Sequence, residues 1–115
     1  MTPSDRLLKY SERYLALKKE VQAVGFVCQG SITKRLLECG TAGCRCHQAP
    51  ENRHGPYHYW TRKSKGKTVG MKLTEDEIPL YREWIDNNRR LGRLLQEMRD
   101  VSRRALALTT GRKAP

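Results

Sequence analysis

Cys39-Gly40-Thr41-Ala42-Gly43-Cys44-Arg45-Cys46-His47, followed by His54-Gly55-Pro56, is the stretch on which the fold turns. It places three of the chain's four cysteines within eight residues, with two imidazoles close behind. A tetrahedral ion such as Zn²⁺ takes four such ligands, usually thiolates completed by a neutral imidazole. Gly40 and Gly43 are read as letting the backbone fold tightly enough to converge the sulfurs. Cys39, Cys44 and Cys46 are therefore assigned as thiolate ligands. The fourth ligand is assigned to His54, because the chain can return it to the thiol loop at the start of a strand. Two alternatives stay open: His47, which must bend back within one residue of Cys46, and Cys28, eleven residues upstream of Cys39. Four protein ligands make the expected Zn²⁺ site closed and structural, with no open position to activate water. The competing reading is free thiols in a reducing compartment.

On either side of this loop the apolar pattern has a period of two. Ser31-Ile-Thr-Lys-Arg-Leu-Leu37 reads as a strand running into Cys39, and Tyr57-His-Tyr-Trp-Thr-Arg-Lys63 as a second. Thr68-Val-Gly-Met-Lys-Leu73 reads as a third, with Val69, Met71 and Leu73 on one face. Ser64-Lys65-Gly66-Lys67 joins the last two as a hairpin whose glycine takes positive φ.

Further out the period becomes helical. Thr2-Pro3-Ser4-Asp5 supplies an N-cap, a proline at the first helical position and an acid at N3. Leu7, Tyr10, Tyr14, Leu17, Val21 and Val24 then follow at alternating steps of three and four, up to Gly25. Thr74-Glu75-Asp76-Glu77 is a second capping box, with Pro79 near the helix start. Tyr81, Trp84, Asn88, Leu91, Leu95, Met98, Ser102 and Ala105 form the expected second seam, widened by Leu80, Leu94, Val101 and Leu108. Asn88 either fixes register or marks where the stripe reaches the surface.

The expected fold is α+β: a small three-stranded antiparallel sheet with a zinc-knuckle-like loop, flanked by two long heptad-patterned helices. One domain is expected over residues 1–115, with a helix at 2–25, a metal-organised sheet and basic hairpin at 30–73, a helix at 75–108 and a frayed tail at 109–115. The helices are expected to pair with each other, or across a homodimer or with a partner helix through residues 7–24 and 81–105.

Composition narrows the function classes. Hydrophobic residues are 37% of the 115 and mean hydropathy is −0.77, with no run near the roughly 20 apolar residues of a membrane span. The charged start, without an apolar stretch, predicts no signal peptide and a cytoplasmic setting in which cysteines are thiols or metal ligands. Net charge is +11. Residues 26–73 hold nine basic against two acidic side chains, so most of the excess sits on the cysteine-bearing middle. That is the footprint of a surface meeting a polyanion, and a merely solubilising surface is the blander alternative.

Nucleic acid, DNA or RNA, is accordingly the expected partner. Its expected contacts are Lys34, Arg35, Arg45, Arg62, Lys63, Lys65, Lys67 and Lys72 to phosphates, with Trp60 as the stacking aromatic on the face of Arg62. Alternation separates Tyr57 and Tyr59 from Trp60, and one of the two faces must fill the core. No paired carboxylates outside the helix cap, phosphate-cradling glycine loop or nucleophile elbow appears, so no enzyme activity is expected. The alternative function is a protein–protein adaptor or dimerisation module that uses the heptad helices.

Gly30-Ser31-Ile32-x-x-Arg35, Cys39-Gly-x-x-Gly-Cys44-Arg-Cys46, His54-Gly-Pro-Tyr57-x-Tyr59 and Arg62-Lys63-x-x-Gly66-Lys67 together resemble a family of short, uncharacterised prokaryotic proteins known by a domain-of-unknown-function label. The resemblance covers roughly residues 30–90, and the N-terminal helix lies outside it. It implies no particular activity. It favours His54 over His47, because the histidine of the HGPY element belongs to the pattern.

Overall fold

A computed structural model describes residues 2–113. The element order is α1 (Pro3–Gln22), β1 (Ser31–Leu37), two single-turn 3₁₀ helices (Arg45–His47 and Pro50–Asn52), β2 (His54–Ser64), β3 (Lys67–Leu73) and α2 (Glu77–Thr110). This is the expected α+β arrangement of two helices and one antiparallel sheet, with the cysteine loop between β1 and β2. The chain forms two compact units: Cys28–Ile85, and the described residues of Met1–Val27 with Asp86–Pro115.

The first unit is the sheet, in the order β1-β2-β3, antiparallel throughout. Lys65 and Gly66 make the β2–β3 turn with φ of 50° and 77°. Two positive φ values give a turn whose twist matches that of the strands. Residues directly opposite in the register share a face. Thr33 pairs with Tyr59, Arg35 with Tyr57, Tyr59 with Lys72, Thr61 with Gly70 and Lys63 with Thr68. That face is mostly polar and aromatic, with Leu37 beside Tyr57 and Lys72 at its β1 end. The opposite face carries Ile32, Lys34, His58, Trp60, Arg62, Val69, Met71 and Leu73.

The first turns of α2 pack on the Trp60 face. The Tyr81 ring lies 5.3 Å from that of Trp60, whose indole N–H donates to the Gln29 carbonyl at 2.8 Å. Leu73 and Ile85 are buried in this unit, and the Cys28 amide donates to the Trp84 carbonyl at 3.0 Å. The helix starts as its capping box directs. The Thr74 amide donates to the Glu77 carboxylate at 2.9 Å, and the Glu77 amide to the Thr74 hydroxyl at 3.3 Å. Pro79 falls in the first turn, where amides largely lack intrahelical acceptors.

The second unit pairs α1 with the rest of α2. Thr2 and Asp5 complete a reciprocal capping box at the start of α1. Leu17, fully buried, meets Leu94 and Val101, with Tyr10, Tyr14, Val21, Val24 and Met98 around them. The helices thus pair within the chain. The helix ends and the centre of the α2 stripe differ from the heptad reading. The first helix ends at Gln22, capped by the Ala23 amide on the Lys19 and Glu20 carbonyls. Leu94 and Val101 form the centre of the α2 stripe, while Leu95 and Leu7 stand exposed. The second helix runs to Thr110, and of the expected tail Ala114 and Pro115 lie outside the described residues. Asn87 rather than Asn88 makes a tertiary bond, its amide donating to the Phe26 carbonyl at 2.9 Å. No helix among the described residues is long and apolar enough to cross a membrane.

Candidate metal centre

Four side chains from three elements converge on one point. Cys39 follows the end of β1 by two residues, Cys44 caps the first 3₁₀ turn, Cys46 is the middle of that turn, and His54 opens β2. The return of His54 depends on a bulge. Arg35 pairs with Tyr57 and Leu37 with His54, so two steps on β1 face three on β2. The extra residue re-aims the strand end. Gly55 sits there at φ 120°, joined to Pro56 by a cis peptide bond. A Cβ on Gly55 would lie 2.7 Å from the Arg35 carbonyl oxygen, which only glycine avoids. Gly40 and Gly43, expected from sequence to be the critical glycines, have open space around them and no positive φ. The demand for glycine therefore falls at the bulge instead of in the thiol loop.

The ligand atoms of Cys39, Cys44, Cys46 and His54 all lie within 4.8 Å of one another. The sulfurs of Cys39 and Cys46 are 3.6 Å apart, and the Cys44 sulfur is 3.4 Å from Nε2 of His54. A tetrahedral ion with metal–sulfur bonds of about 2.3 Å and metal–nitrogen bonds of about 2.0–2.1 Å requires edges of about 3.8 and 3.6 Å. The four side chains fit such an ion with only small adjustment. Cys46 is 1% exposed, Cys39 and Cys44 are half-buried, and the Cys39 amide donates to the Cys46 sulfur at 3.3 Å.

Both alternatives for the fourth ligand are placed elsewhere. Nδ1 of His47 faces the Glu38 carboxylate at 3.1 Å and Nε2 faces the Thr41 carbonyl at 3.0 Å. Both ring nitrogens meet acceptors, which suits the doubly protonated ring. Burial opposes that charge, but the Glu38 carboxylate and the Thr41 carbonyl override it and raise the His47 pKa. Arg53 adds a longer contact to Glu38 at 4.0 Å. Glu38 thus ties the end of β1 to both 3₁₀ turns from outside the ligand set. Cys28 lies outside the cluster, its thiol directed to the Gln29 carbonyl.

Within the cluster, two ligands give up their protons more readily than usual and two hold them more tightly. A backbone hydrogen bond at Thr41, then the Cys44 thiol and the His54 ring, lower Cys39 from 9.0 to about 6. Cys44 is lowered as well, first by the backbone at Cys46 and then by His54. Burial pushes Cys46 up. His54 is raised, by Cys44 first and Cys39 second, as expected of an imidazole beside acidic sulfurs.

The nine residues expected to contact nucleic acid are divided among four places. Arg35, Lys63 and Lys72 lie on the face of the sheet turned away from Trp60 and Tyr81, which the first turns of α2 leave uncovered within this unit. Lys34, Trp60, Arg62 and Lys67 alternate onto the opposite face, where the Arg62 guanidinium stands 4.2 Å from the Trp60 ring. Lys65 is in the hairpin turn, and Arg45 opens the first 3₁₀ turn between the cysteines. Trp60 is engaged by Tyr81, Arg62 and Gln29. The aromatics on the uncovered face are Tyr57 and Tyr59, beneath Lys72 at 4.0 Å and Arg35 at 5.0 Å. Alternation in the sequence separates these tyrosines from Trp60. Cations do not separate the two faces, since Lys34, Arg62 and Lys67 lie on the other; the docking of Tyr81 on Trp60 does.

Comparison with known proteins gives one family. The model described as Domain of unknown function (DUF6788) matches residues 7–83, taking in most of α1 as well as the sheet and the cysteine loop. The chain belongs to this family. No curated protein and no solved structure matches it.

Proposed function

We propose that this family member is a non-enzymatic nucleic-acid-binding protein whose sheet is organised by a structural zinc ion. Three thiolates and one imidazole in tetrahedral reach are the ligand set that suits zinc, and a complete set of four serves structure. The observation that carries the binding reading is the composition of the uncovered sheet face. Arg35, Lys63 and Lys72 flank Tyr57 and Tyr59 there, and the three strands contain no acidic residue. Lys65 adds a cation at the hairpin turn, next to Lys67 on the opposite face. Cations would hold the phosphates while the tyrosines take the bases or sugars.

Phosphate-dominated binding releases counterions and weakens steeply with salt. The test is a fluorescence-anisotropy titration of labelled DNA and RNA oligonucleotides at several salt concentrations. The wild type is expected to give a strong negative slope of log affinity against log salt. Lys63/Lys65/Lys67→Ala is expected to make that slope shallower by about 2–3, from roughly 0.7–0.9 per lost phosphate contact. Absent or salt-independent binding to both polymers removes this reading.

A second reading is supported by the helical unit. Leu15 and Leu106 stand 57% and 63% exposed at the edge of shallow grooves lined by Tyr14, Met98 and Ser102. An adaptor or dimerisation role would use this apolar surface, with zinc serving only the fold. Loss of a partner on Leu15→Asp/Leu106→Asp but not on Lys63/Lys65/Lys67→Ala separates it from the first reading.

A further inference from the structure

We infer that the uncovered sheet face takes single-stranded nucleic acid, with two successive unstacked bases on Tyr59 and Tyr57. This inference rests on the nucleic-acid reading above and specifies its ligand. The tyrosines are two residues apart on β2, the central strand. At 3.2–3.4 Å per residue, their attachment points are separated by about 6.6 Å along the strand. Stacked bases in a duplex advance by about 3.4 Å per step. Neighbouring bases can occupy both rings only when the nucleic acid is stretched to about twice that rise, which a duplex reaches only by unstacking a step and a single strand reaches freely.

The position of the rings within the sheet works against a major-groove mode. A major groove about 12 Å wide admits a helix or a two-stranded ribbon. Here β1 and β3 lie about 4.8 Å to either side of the tyrosine-bearing strand, so base edges recessed in a groove stay out of reach. Bases splayed from a single strand meet no such obstacle.

The neighbours of the rings suit the same ligand. The Lys72 ammonium and the Arg35 guanidinium rest on Tyr57 and Tyr59. The two rings are half-buried, and a cation over a ring at the water boundary is held less strongly than a stacked base, so an incoming strand can exchange these contacts for stacking while the released cations take its phosphates. Gly70 leaves the flank of Tyr59 clear. Even a Cβ there would come no closer than 4.0 Å to the ring and 3.7 Å to the Thr61 methyl. Thr33 and Thr61 bring only short side chains beside Tyr59.

The experiment is an anisotropy titration of the full zinc-loaded chain with four labelled probes: a 12-nucleotide single strand of DNA, its RNA equivalent, the corresponding duplex, and an abasic single strand of equal length and charge. The base-bearing single strands are expected to bind at least tenfold more tightly than either the duplex or the abasic strand. Tyr57→Ala and Tyr59→Ala should each weaken single-strand binding by about five- to hundredfold. Tyr59→Trp should retain it, and duplex binding should be unaffected by all three. Equal or tighter duplex binding overturns the inference and leaves the nucleic-acid reading standing. An abasic strand that binds as well as the intact one does the same, without depending on any variant folding. Failure to bind any probe overturns both.

Discussion

The sulfur of Cys44 and Nε2 of His54 lie 3.4 Å apart, although the chain between them makes two separate 3₁₀ turns. What closes that gap is the β2 bulge, which turns the first residue of the strand back toward the thiols. The candidate metal site and the end of the sheet are therefore built together. The residue that sets the bulge also sets the fourth ligand.

Gly55→Ala should accordingly damage both. A side chain at φ 120°, 2.7 Å from the Arg35 carbonyl oxygen, forces either strain or movement of the strand end. Strain of this kind costs about 1–3 kcal/mol. The expected outcome is a lower melting temperature together with weaker metal retention against a chelator. Gly43→Ala, which meets open space, should change stability by no more than about 0.5 kcal/mol. Thermal melts with and without chelator compare the two.

Metal affinity should fall as pH falls. Binding needs thiolates and a neutral imidazole, so protons compete for every ligand. Cys39 holds its proton only below about 6, whereas the raised His54 binds one above its ordinary value of 6.5. Cys46, pushed up by burial, competes for its proton throughout this range, and competition should deepen as His54 and then Cys39 protonate. Zinc release followed by a chromogenic chelator should rise between pH 7.5 and 5.5. In His54→Cys, which replaces the imidazole with a thiolate, the first part of that release should disappear.

Glu38→Gln should destabilise the protein in a pH-dependent way. The folded chain raises the His47 pKa through Glu38 and Thr41, against the opposing effect of burial. A raised base stabilises the fold fully below its unfolded value of about 6.5 and loses that contribution as pH rises through the folded value. The variant should thus melt lower than wild type at pH 6, and the difference should shrink by pH 9. Equal destabilisation at both pH values would show that the charge on His47 is not what Glu38 contributes.

The local signals were legible in the sequence because each is completed within a few residues. Thr2 with Asp5, Thr74 with Glu77, and Lys65-Gly66 all use groups three or fewer positions apart. The sulfur spacing likewise constrained the ligand set and left only the fourth member to be decided by tertiary return. What alternation left undecided was which face of β2 is covered. That depends on Tyr81 docking against Trp60, a contact spanning 21 residues and two chain reversals. The centre of the α2 stripe was similarly hidden. Leu91, Leu94 and Leu95 all satisfy a helical apolar pattern, and only the position of Leu17 on α1 selects Leu94. The role of glycine was misplaced because Gly40 and Gly43 adjoin the thiols, whereas the steric demand arises where Gly55 passes the Arg35 carbonyl.

The most direct measurement is the metal content of the purified chain, with ligands replaced one at a time. Elemental analysis should find one zinc per chain in the wild type and in His47→Ala. It should find zinc lost in Cys39→Ser, Cys44→Ser, Cys46→Ser and His54→Ala. A wild-type protein that is fully folded and free of metal would contradict the account.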